Sequence, residues 1–247
     1  MRPIERGTHP VNRQGERVVY REYSEARGTL IERLGEYCSY CEMQLDAGLA
    51  VEHMIPKTQD RNSEKAWDNF LLACPNCNST KGDQTIVLGD YVWPDRDNTF
   101  ACLRYGPGAL VHPAEGLDER TRTRTEKTIE LVGLNRIPND IADALQPDPD
   151  GRDKATDRRW RNRHVKWDIA KDRLRDLQEV VEKYGEGRAA ELFRGSVIGT
   201  VTESGYWSIW MTVFADDLKT RQMLIDAFKA TPSCFDPATT QPKPRMP

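Results

Sequence analysis

The chain has 247 residues, enough for one large domain or two small ones around a buried core. Its mean hydropathy of −0.72 describes a soluble globular protein, and no run approaches the roughly 18 to 20 apolar residues of a membrane span. The start lacks the apolar stretch of a secretory signal, so the expected location is the cytoplasm. A net charge of −3 argues against a uniformly basic surface.

The first predicted element is a short helix from Ser24 to Leu34, where apolar residues recur at helical spacing and Gly35 supplies a stop signal. A first cysteine pair follows this helix. The segment GLAVEHMIP then predicts a short strand ended by Pro56, because proline cannot continue a central ladder. A polar loop, a second apolar run and a second cysteine pair follow. After that pair we predict a helix that opens at an Asn or Ser cap.

The rest of the chain is predicted to be mostly helical. Gly-Pro-Gly between two apolar runs indicates a hairpin, and a helix with Asp118 as its cap follows. A Pro- and Asp-rich break precedes a long helix between about Asp157 and Tyr184, whose single apolar stripe is typical of core packing. After the apolar run YWSIWMTVF, a further helix is predicted from about Asp216 to Ala230.

Positive charge is concentrated at the start of the long helix. Between Arg152 and Arg175 the chain has ten Lys or Arg residues against four Asp. This excess is compatible with a face that binds nucleic acid, and equally with the solvated side of an ordinary helix.

We expect two regions in the chain. Residues 1–89 combine the N-terminal helix with the cysteine-rich segment. Residues 90–247 form a mostly helical region that is expected to bind a partner, and its Pro-rich tail is expected to be disordered from about residue 232.

Four of the six cysteines form two C-x-x-C pairs, which are Cys38 with Cys41 and Cys74 with Cys77. In a reducing compartment this grouping favours a metal over disulfides. Each pair can hold one edge of a tetrahedron, so the two pairs together predict a zinc site. Because sulfur would occupy all four positions, this zinc would be structural and not catalytic. Four unrelated cysteines are the alternative, and the other two cysteines are interpreted as ordinary thiols.

The segment between the pairs carries the polar residues of interest, Glu52, His53 and Asn69, and Asn78 follows the second pair. If both pairs bind one zinc, the strand with His53 lies beside the segment after Cys77, and His53 and Asn78 become neighbours. Each residue also has an ordinary interpretation, since a strand histidine is usually a satisfied polar group and turn asparagines serve the backbone. Their occurrence together with the cysteine pairs favours a functional site.

The segments EHMIPK and WDNFLLACPNCNSTKG resemble the pattern of the HNH endonuclease family. The shared features are an acid-His-x-x-Pro strand, an internal Asn, and a C-x-x-C-N-x-x-K-G turn that enters a helix. This resemblance implies an α+β fold with a zinc-stabilised ββα-metal (His-Me finger) core. The N-terminal helix and the mostly helical C-terminal region would surround that core.

The resemblance also implies roles for individual residues. His53 would be the general base that deprotonates the attacking water, since an imidazole changes charge near neutral pH. Asn78 and Glu52 would hold a catalytic Mg²⁺ or Mn²⁺ against the scissile phosphate. Asn69 would orient the loops that present His53. Glu52 departs from the Asp or His often found beside the base, and its side chain is longer.

A narrower resemblance is to the PtuB branch of this family, the HNH subunits of the Septu anti-phage system that also occur beside retrons. It is carried by MRPIERG, YCSYCE, VEHMIPK and EKTIELVGLN. It implies a PtuA partner, an ABC or SMC-like ATPase, and cleavage of nucleic acid in bacterial defence.

DNA is the favoured substrate. RNA such as a tRNA stays open, because an HNH core binds the phosphate backbone and reads little sequence. A non-catalytic, zinc-stabilised module that binds nucleic acid is the alternative from another class.

Overall fold

The computed structural model describes residues 1–136 and 157–244. The α-helices in these ranges are α1 (Arg27–Leu34), α2 (Pro75–Lys81), α3 (Thr99–Cys102), α4 (Glu119–Leu131), α5 (Arg159–Tyr184), α6 (Arg188–Ser204), α7 (Trp207–Val213) and α8 (Leu218–Ala227). The strands are β1 (Ala50–His53), β2 (Phe70–Ala73), β3 (Leu103–Tyr105) and β4 (Val111–Pro113). None of these helices is both long and apolar enough to cross a bilayer.

Strands β1 and β2 and helix α2 form a ββα unit. The strands are antiparallel, and His53 at the end of β1 lies opposite Phe70 at the start of β2. All four residues of β2 are buried, so this hairpin packs into the core and exposes its polar end. The predicted α+β fold with a ββα core is therefore confirmed.

The predicted start of the helix after the second cysteine pair is wrong. Helix α2 begins at Pro75, with Cys74 as its N-cap, and ends before Gly82, whose φ is 57°. Proline suits the first helical position because its φ is already helical and its missing N–H would be unpaired there. Asn78 and Ser79, the residues predicted as caps, lie inside α2.

The N-terminal segment runs through the core and joins both predicted regions. The ammonium of Met1 lies 3.0 Å from a carboxylate oxygen of Glu42. The guanidinium of Arg2 donates to the carbonyl of Leu34 and to the hydroxyl of Thr231, at 2.8 and 2.7 Å. One hydrophobic cluster extends across residue 90, so the core is continuous at the expected boundary.

The helical C-terminal region follows the prediction closely. The Gly-Pro-Gly hairpin is confirmed by the antiparallel pairing of β3 with β4, and α4 is capped by the Asp118 carboxylate as predicted. The long predicted helix is α5, and the run YWSIWMTVF supplies α7, which is almost wholly buried. The Pro- and Asp-rich break before α5 lies outside the described residues.

The tail is ordered through residue 244, which differs from the expected disorder from about residue 232. The Phe235 side chain is buried, and the Lys243 amide donates to the carbonyl of Cys234 at 2.9 Å. Thr240 is also buried. An aromatic anchor inside a Pro-rich segment therefore gives this stretch enough apolar burial to pack.

The turn between α6 and α7 touches the first cysteine turn. Gly205 has a φ of 77°, and a Cβ added there would lie 2.1 Å from the carbonyl oxygen of Glu42. The next amide, of Tyr206, donates to that same carbonyl at 2.9 Å. The close approach therefore requires glycine and brings the helical region against the cysteine turn.

Candidate functional site

The four paired cysteines form one buried cluster. The sulfur atoms of Cys38, Cys41, Cys74 and Cys77 all lie within 4.8 Å of one another, and those of Cys41 and Cys74 are 3.7 Å apart. Tetrahedral zinc with Zn–S bonds of about 2.3 Å places its sulfur ligands about 3.8 Å apart. The observed spacing therefore fits a zinc ion.

Local backbone structure positions each pair. In the first turn, the Cys38 amide donates to the Met43 carbonyl and the Glu42 amide to the Cys38 carbonyl, both at 3.0 Å. In the second, the Cys74 sulfur accepts the Cys77 amide at 3.4 Å and caps α2. Both turns therefore aim two sulfurs at one point.

The electrostatics of the cluster also favour a cation. Burial raises the pKa of the Cys77 thiol, and hydrogen bonds to the other thiols raise that of Cys41. Hydrogen bonds from Cys38 and Cys41 lower the pKa of Cys74. Four thiolates can share this buried space only with a positive ion between them, and the thiolate is the form that binds metal.

His53 is held so that one ring nitrogen stays available. Its Nε2 lies 2.8 Å from the main-chain carbonyl of Glu64. Because a carbonyl only accepts, Nε2 carries the hydrogen, and Nδ1 of the neutral ring keeps its lone pair. The side chain is half-buried at the end of β1, so Nδ1 is suited to accept a proton from a group in solvent.

Two aromatic rings restrain the imidazole. Its centroid lies 4.8 Å from that of Tyr23 and 5.3 Å from that of Phe70, both edge to face. The ammonium of Lys57 lies 5.1 Å from the Tyr23 centroid, on the ring face. The mouth of the site therefore includes Tyr23, which comes from the turn just before α1.

Glu52 does not share the surroundings of His53. Successive side chains on a strand point to opposite faces, and Glu52 is buried. One carboxylate oxygen accepts the Tyr40 hydroxyl at 2.6 Å, and the other lies 2.8 Å from the Lys81 ammonium. Both oxygens are therefore engaged, and this geometry does not fit the expectation that Glu52 holds the catalytic cation.

Lys81 joins the end of α2 to the end of β1. Besides Glu52, its ammonium lies 2.7 Å from the carbonyl oxygen of His53. Asn78 precedes Lys81 by three residues, so both lie on one side of α2. Asn78 is exposed. The Asn78 amide is therefore accessible to solvent, one helical turn before the lysine that contacts the end of β1.

Asn69 connects the segments on either side of His53. Its Oδ1 accepts the Ile55 amide at 2.7 Å, and its Nδ2 donates to the carbonyls of Ile55 and Ser63 at 2.9 and 3.2 Å. Ser63 immediately precedes Glu64, whose carbonyl binds His53. The buried Asn69 amide thus ties the loop after β1 to the loop that holds the imidazole.

These features define a ββα unit with a four-cysteine cluster at its base and a histidine at its open end. Residues 38–84 match the HNH endonuclease family. The chain therefore contains an HNH endonuclease domain, which runs from the first cysteine through α2 and includes His53, Asn69 and Asn78. No curated protein matches the chain.

Several residues of the site escaped prediction from sequence. Glu64 acts through its main chain, so its side chain carries no information about this contact. Lys81 belongs to the C-N-x-x-K-G turn, but nothing beside it in the sequence indicates that it is buried and paired with Glu52. Tyr23 and Arg159, which contacts Cys77, lie outside the matched segment, and no spacing in the sequence links them to it.

Proposed function

We propose that this chain is a metal-dependent HNH endonuclease that hydrolyses phosphodiester bonds of nucleic acid, with DNA favoured. The observation that carries the proposal is the contact between His53 Nε2 and the Glu64 carbonyl. It leaves Nδ1 as the proton acceptor that a general base needs.

In this mechanism His53 takes a proton from the attacking water through Nδ1. Tyr23 and Phe70 restrain its ring, and Asn69 holds the loop that supplies the Glu64 carbonyl. These contacts fix the base before substrate arrives, which lowers the cost of reaching a reactive geometry. Asn69 is therefore assigned a positioning role.

The residues present fit a catalytic cation only in part. Asn78 offers an exposed amide oxygen, a ligand that suits a hard cation, whereas both oxygens of Glu52 are engaged. When bound, Mg²⁺ or Mn²⁺ would neutralise charge on the phosphoryl group and stabilise the leaving oxygen. We assign Asn78 as the protein ligand and Glu52, through Lys81, as the group that fixes α2 against β1.

The decisive experiment compares His53→Ala with His112→Ala, a matched change at an exposed histidine on β4. Each purified protein is incubated with plasmid DNA and Mg²⁺ or Mn²⁺. We expect His53→Ala to lose at least about a hundredfold in cleavage rate, the usual contribution of a general base. Its zinc content and melting temperature should match the wild type, and His112→Ala should cleave normally. Full activity in His53→Ala would refute the mechanism.

The same assay separates the alternative functions. DNA, single-stranded RNA and a structured tRNA are supplied side by side with each variant. Cleavage of RNA alone, still dependent on His53, would keep the site and change the substrate. Retained binding without cleavage of any substrate by the wild type would indicate the zinc-stabilised binding module instead.

We further propose that the chain acts in the bacterial cytoplasm as a PtuB-like effector of a PtuA-like ATPase in anti-phage defence. The sequence resemblance supports this, and so does a group of exposed apolar side chains. Tyr184, Leu192 and Leu218 are 61, 64 and 52 % exposed. Salt bridges join the three segments that carry these apolar side chains, since Glu186 pairs with Arg194 and with Lys219.

The partner proposal is tested by co-purification with the product of the neighbouring gene, which the PtuB-like role predicts to be such an ATPase. Leu192→Asp in this apolar group should abolish capture, while Val87→Asp should not. Val87 is similarly exposed, at 61 %, but lies on the loop after α2. Equal capture of both variants would exclude this surface as the interface.

A further inference from the structure

Arg159, at the start of α5, reaches the cysteine cluster from outside the HNH domain. Its side chain is buried, and its Nη1 donates to the sulfur of Cys77 at 3.0 Å and to the carbonyl of Val132 at 2.6 Å. On its other edge, Nε and Nη2 donate to the carboxylate of Asp157, at 2.9 and 2.6 Å. The guanidinium is thus held in one orientation with an N–H aimed at a metal-binding sulfur.

The charge of the cluster explains why such a contact matters. Zinc with four thiolates carries a formal charge of about −2, and burying that charge is costly unless it is paired. Hydrogen bonds to an ionised acceptor are shorter and stronger than neutral ones. Partners of this kind, one shell out from the metal, change metal affinity by about 10- to 100-fold when removed.

The same helix offers a matched residue without the sulfur contact. Arg163 lies one turn after Arg159 and is equally buried, with 1 % of its surface exposed in both cases. It donates to the carbonyls of Ala109 and Leu134. Both arginines therefore fasten α5 to neighbouring loops, but among the hydrogen bonds of these two side chains only that of Arg159 reaches a cysteine of the cluster.

We propose that Arg159 is an outer-shell residue of the metal centre, which retains zinc by donating a hydrogen bond to the Cys77 thiolate. Through this residue α5, a helix outside the HNH domain, controls how tightly the domain holds its metal. The inference rests on the four-cysteine zinc site but not on nucleic-acid cleavage. It requires only that the metal is bound by these sulfurs.

The test measures zinc release to a chromogenic chelator from the full-length, zinc-loaded protein without denaturant. The variants are Arg159→Met, Arg159→Lys and Arg163→Met, and urea unfolding of each reports the loss of stability. We expect Arg159→Met to release zinc about 10- to 100-fold faster than the wild type. Arg163→Met should release zinc at a rate within about twofold of the wild type, although it too loses hydrogen bonds that hold α5 to its neighbouring loops. Arg159→Lys should fall between, because an ammonium keeps the charge but lacks the planar fork.

A spectroscopic measurement separates a direct effect from general loosening. In protein loaded with Co²⁺, the thiolate-to-metal charge-transfer bands report hydrogen bonds to the sulfurs. We expect these bands to shift in the Arg159 variants and to stay unchanged in Arg163→Met. Equal release rates and identical spectra for Arg159→Met and Arg163→Met would overturn the inference.

Two further outcomes are distinguishable. If Arg159→Met fails to fold, Arg159→Lys with its Co²⁺ spectrum decides the question, because a wild-type spectrum would overturn the inference. If the wild-type protein holds no zinc, the four-cysteine site itself is refuted and Arg159 loses this role with it. If the wild type binds zinc but the Arg159 variants keep its release rate and Co²⁺ spectrum, the four-cysteine site stands and the role of Arg159 is refuted.

Discussion

The turn that carries Cys38 and Cys41 is held by distant parts of the chain, whereas the turn that carries Cys74 and Cys77 forms the start of a helix. The first turn places Glu42 at a φ of 67°, directly after its second cysteine. The second uses Cys74 as the N-cap of α2, so the metal ligand also satisfies a free helical amide. Both present two sulfurs, but different interactions stabilise them.

The first cysteine turn is held by a close backbone contact and by an ion pair with hydrogen bonds. Its Glu42 carbonyl meets the backbone at Gly205, where no side chain fits. The Glu42 carboxylate is buried, lies 3.0 Å from the Met1 ammonium and accepts the amide and hydroxyl of Ser208 at 2.7 and 2.6 Å. This turn therefore depends on the chain start and on the α6 to α7 turn.

The second turn makes fewer contacts with the rest of the described residues. Its helix begins and ends within the HNH domain, and Lys81 fixes the last turn of that helix to β1. From outside the HNH domain, Arg159 donates to the Cys77 sulfur and Arg136 to the Thr80 hydroxyl of α2. The metal centre is therefore one of the places where the HNH domain and the helical region are in contact.

Removing one ligand from each turn gives the largest expected effect. Cys41→Ser and Cys74→Ser should both eliminate zinc, with one zinc per chain before and none after. A structural zinc contributes on the order of 10 kcal/mol to folding, which rivals the roughly 5 to 15 kcal/mol stability of a whole domain. The ββα unit should therefore unfold at a much lower urea concentration in both variants, with a weakened native structure left for measurement in the absence of denaturant, as checked by metal analysis and urea denaturation.

The two substitutions should differ at α2. Serine is a good N-cap, so Cys74→Ser keeps the cap, and the amides of residues 77–81 should retain more protection from hydrogen exchange than in Cys74→Ala. In the first turn, Cys41→Ser and Cys41→Ala should behave alike. Equal exchange for the Ser and Ala variants at position 74 would contradict the assigned capping role.

The next largest effect is expected at the contact between the first turn and the helical region. In Gly205→Ala the new Cβ would lie 2.1 Å from the Glu42 carbonyl oxygen and 2.8 Å from the Gln44 amide nitrogen, at a φ of 77°. Since backbone cannot yield as a flexible side chain can, we expect a loss of about 4 kcal/mol in the free energy of unfolding.

Gly199→Ala is the matched control. Gly199 lies inside α6 with open space where its Cβ would be, so alanine there should stabilise the protein by about 0.5 to 1 kcal/mol. Urea unfolding of both variants checks the pair. A similar small change in each would show that the close approach at Gly205 does not support the turn.

The parts of the molecule that could be predicted from sequence depend on local spacing. The C-x-x-C pairs, the short strand before Pro56, the Asp118 cap and the apolar stripe of α5 each depend on residues close together in the sequence. The zinc-stabilised ββα core follows because two cysteine pairs on one metal force the hairpin and α2 together.

The parts that escaped prediction depend on partners far away in the chain. Nothing beside Glu52 indicates that Tyr40 and Lys81 will occupy both its oxygens. The charge cluster at the start of α5 could serve a polyanion or a solvated face, yet two of its arginines, Arg159 and Arg163, are buried against backbone carbonyls. Buried charges of this kind are set by tertiary packing, which no periodicity reveals.

The smallest of these effects is expected from the ionic support of the first turn. In Glu42→Gln the buried carboxylate loses its charge opposite the Met1 ammonium, and breaking a buried pair costs about 3 kcal/mol. Asp46→Asn is the control, because Asp46 is an exposed acid close to this turn and should change stability by less than about 0.5 kcal/mol. Urea unfolding at neutral pH checks both.

The pH dependence of unfolding distinguishes the contribution of the Glu42 charge from that of its packing. Burial alone would raise the pKa of Glu42, but the Met1 ammonium and the Ser208 hydrogen bonds outweigh it and hold that pKa below the ordinary 4.5. The ionised carboxylate therefore adds stability that is complete above about pH 4.5 and is lost as the pH falls through the lower folded-state value. Glu42→Gln should unfold with a flatter pH dependence below pH 4.5, while Asp46→Asn should keep the wild-type slope. Parallel pH profiles for wild type and Glu42→Gln would mean that Glu42 supports the first cysteine turn by packing and hydrogen bonds, without a contribution from its charge.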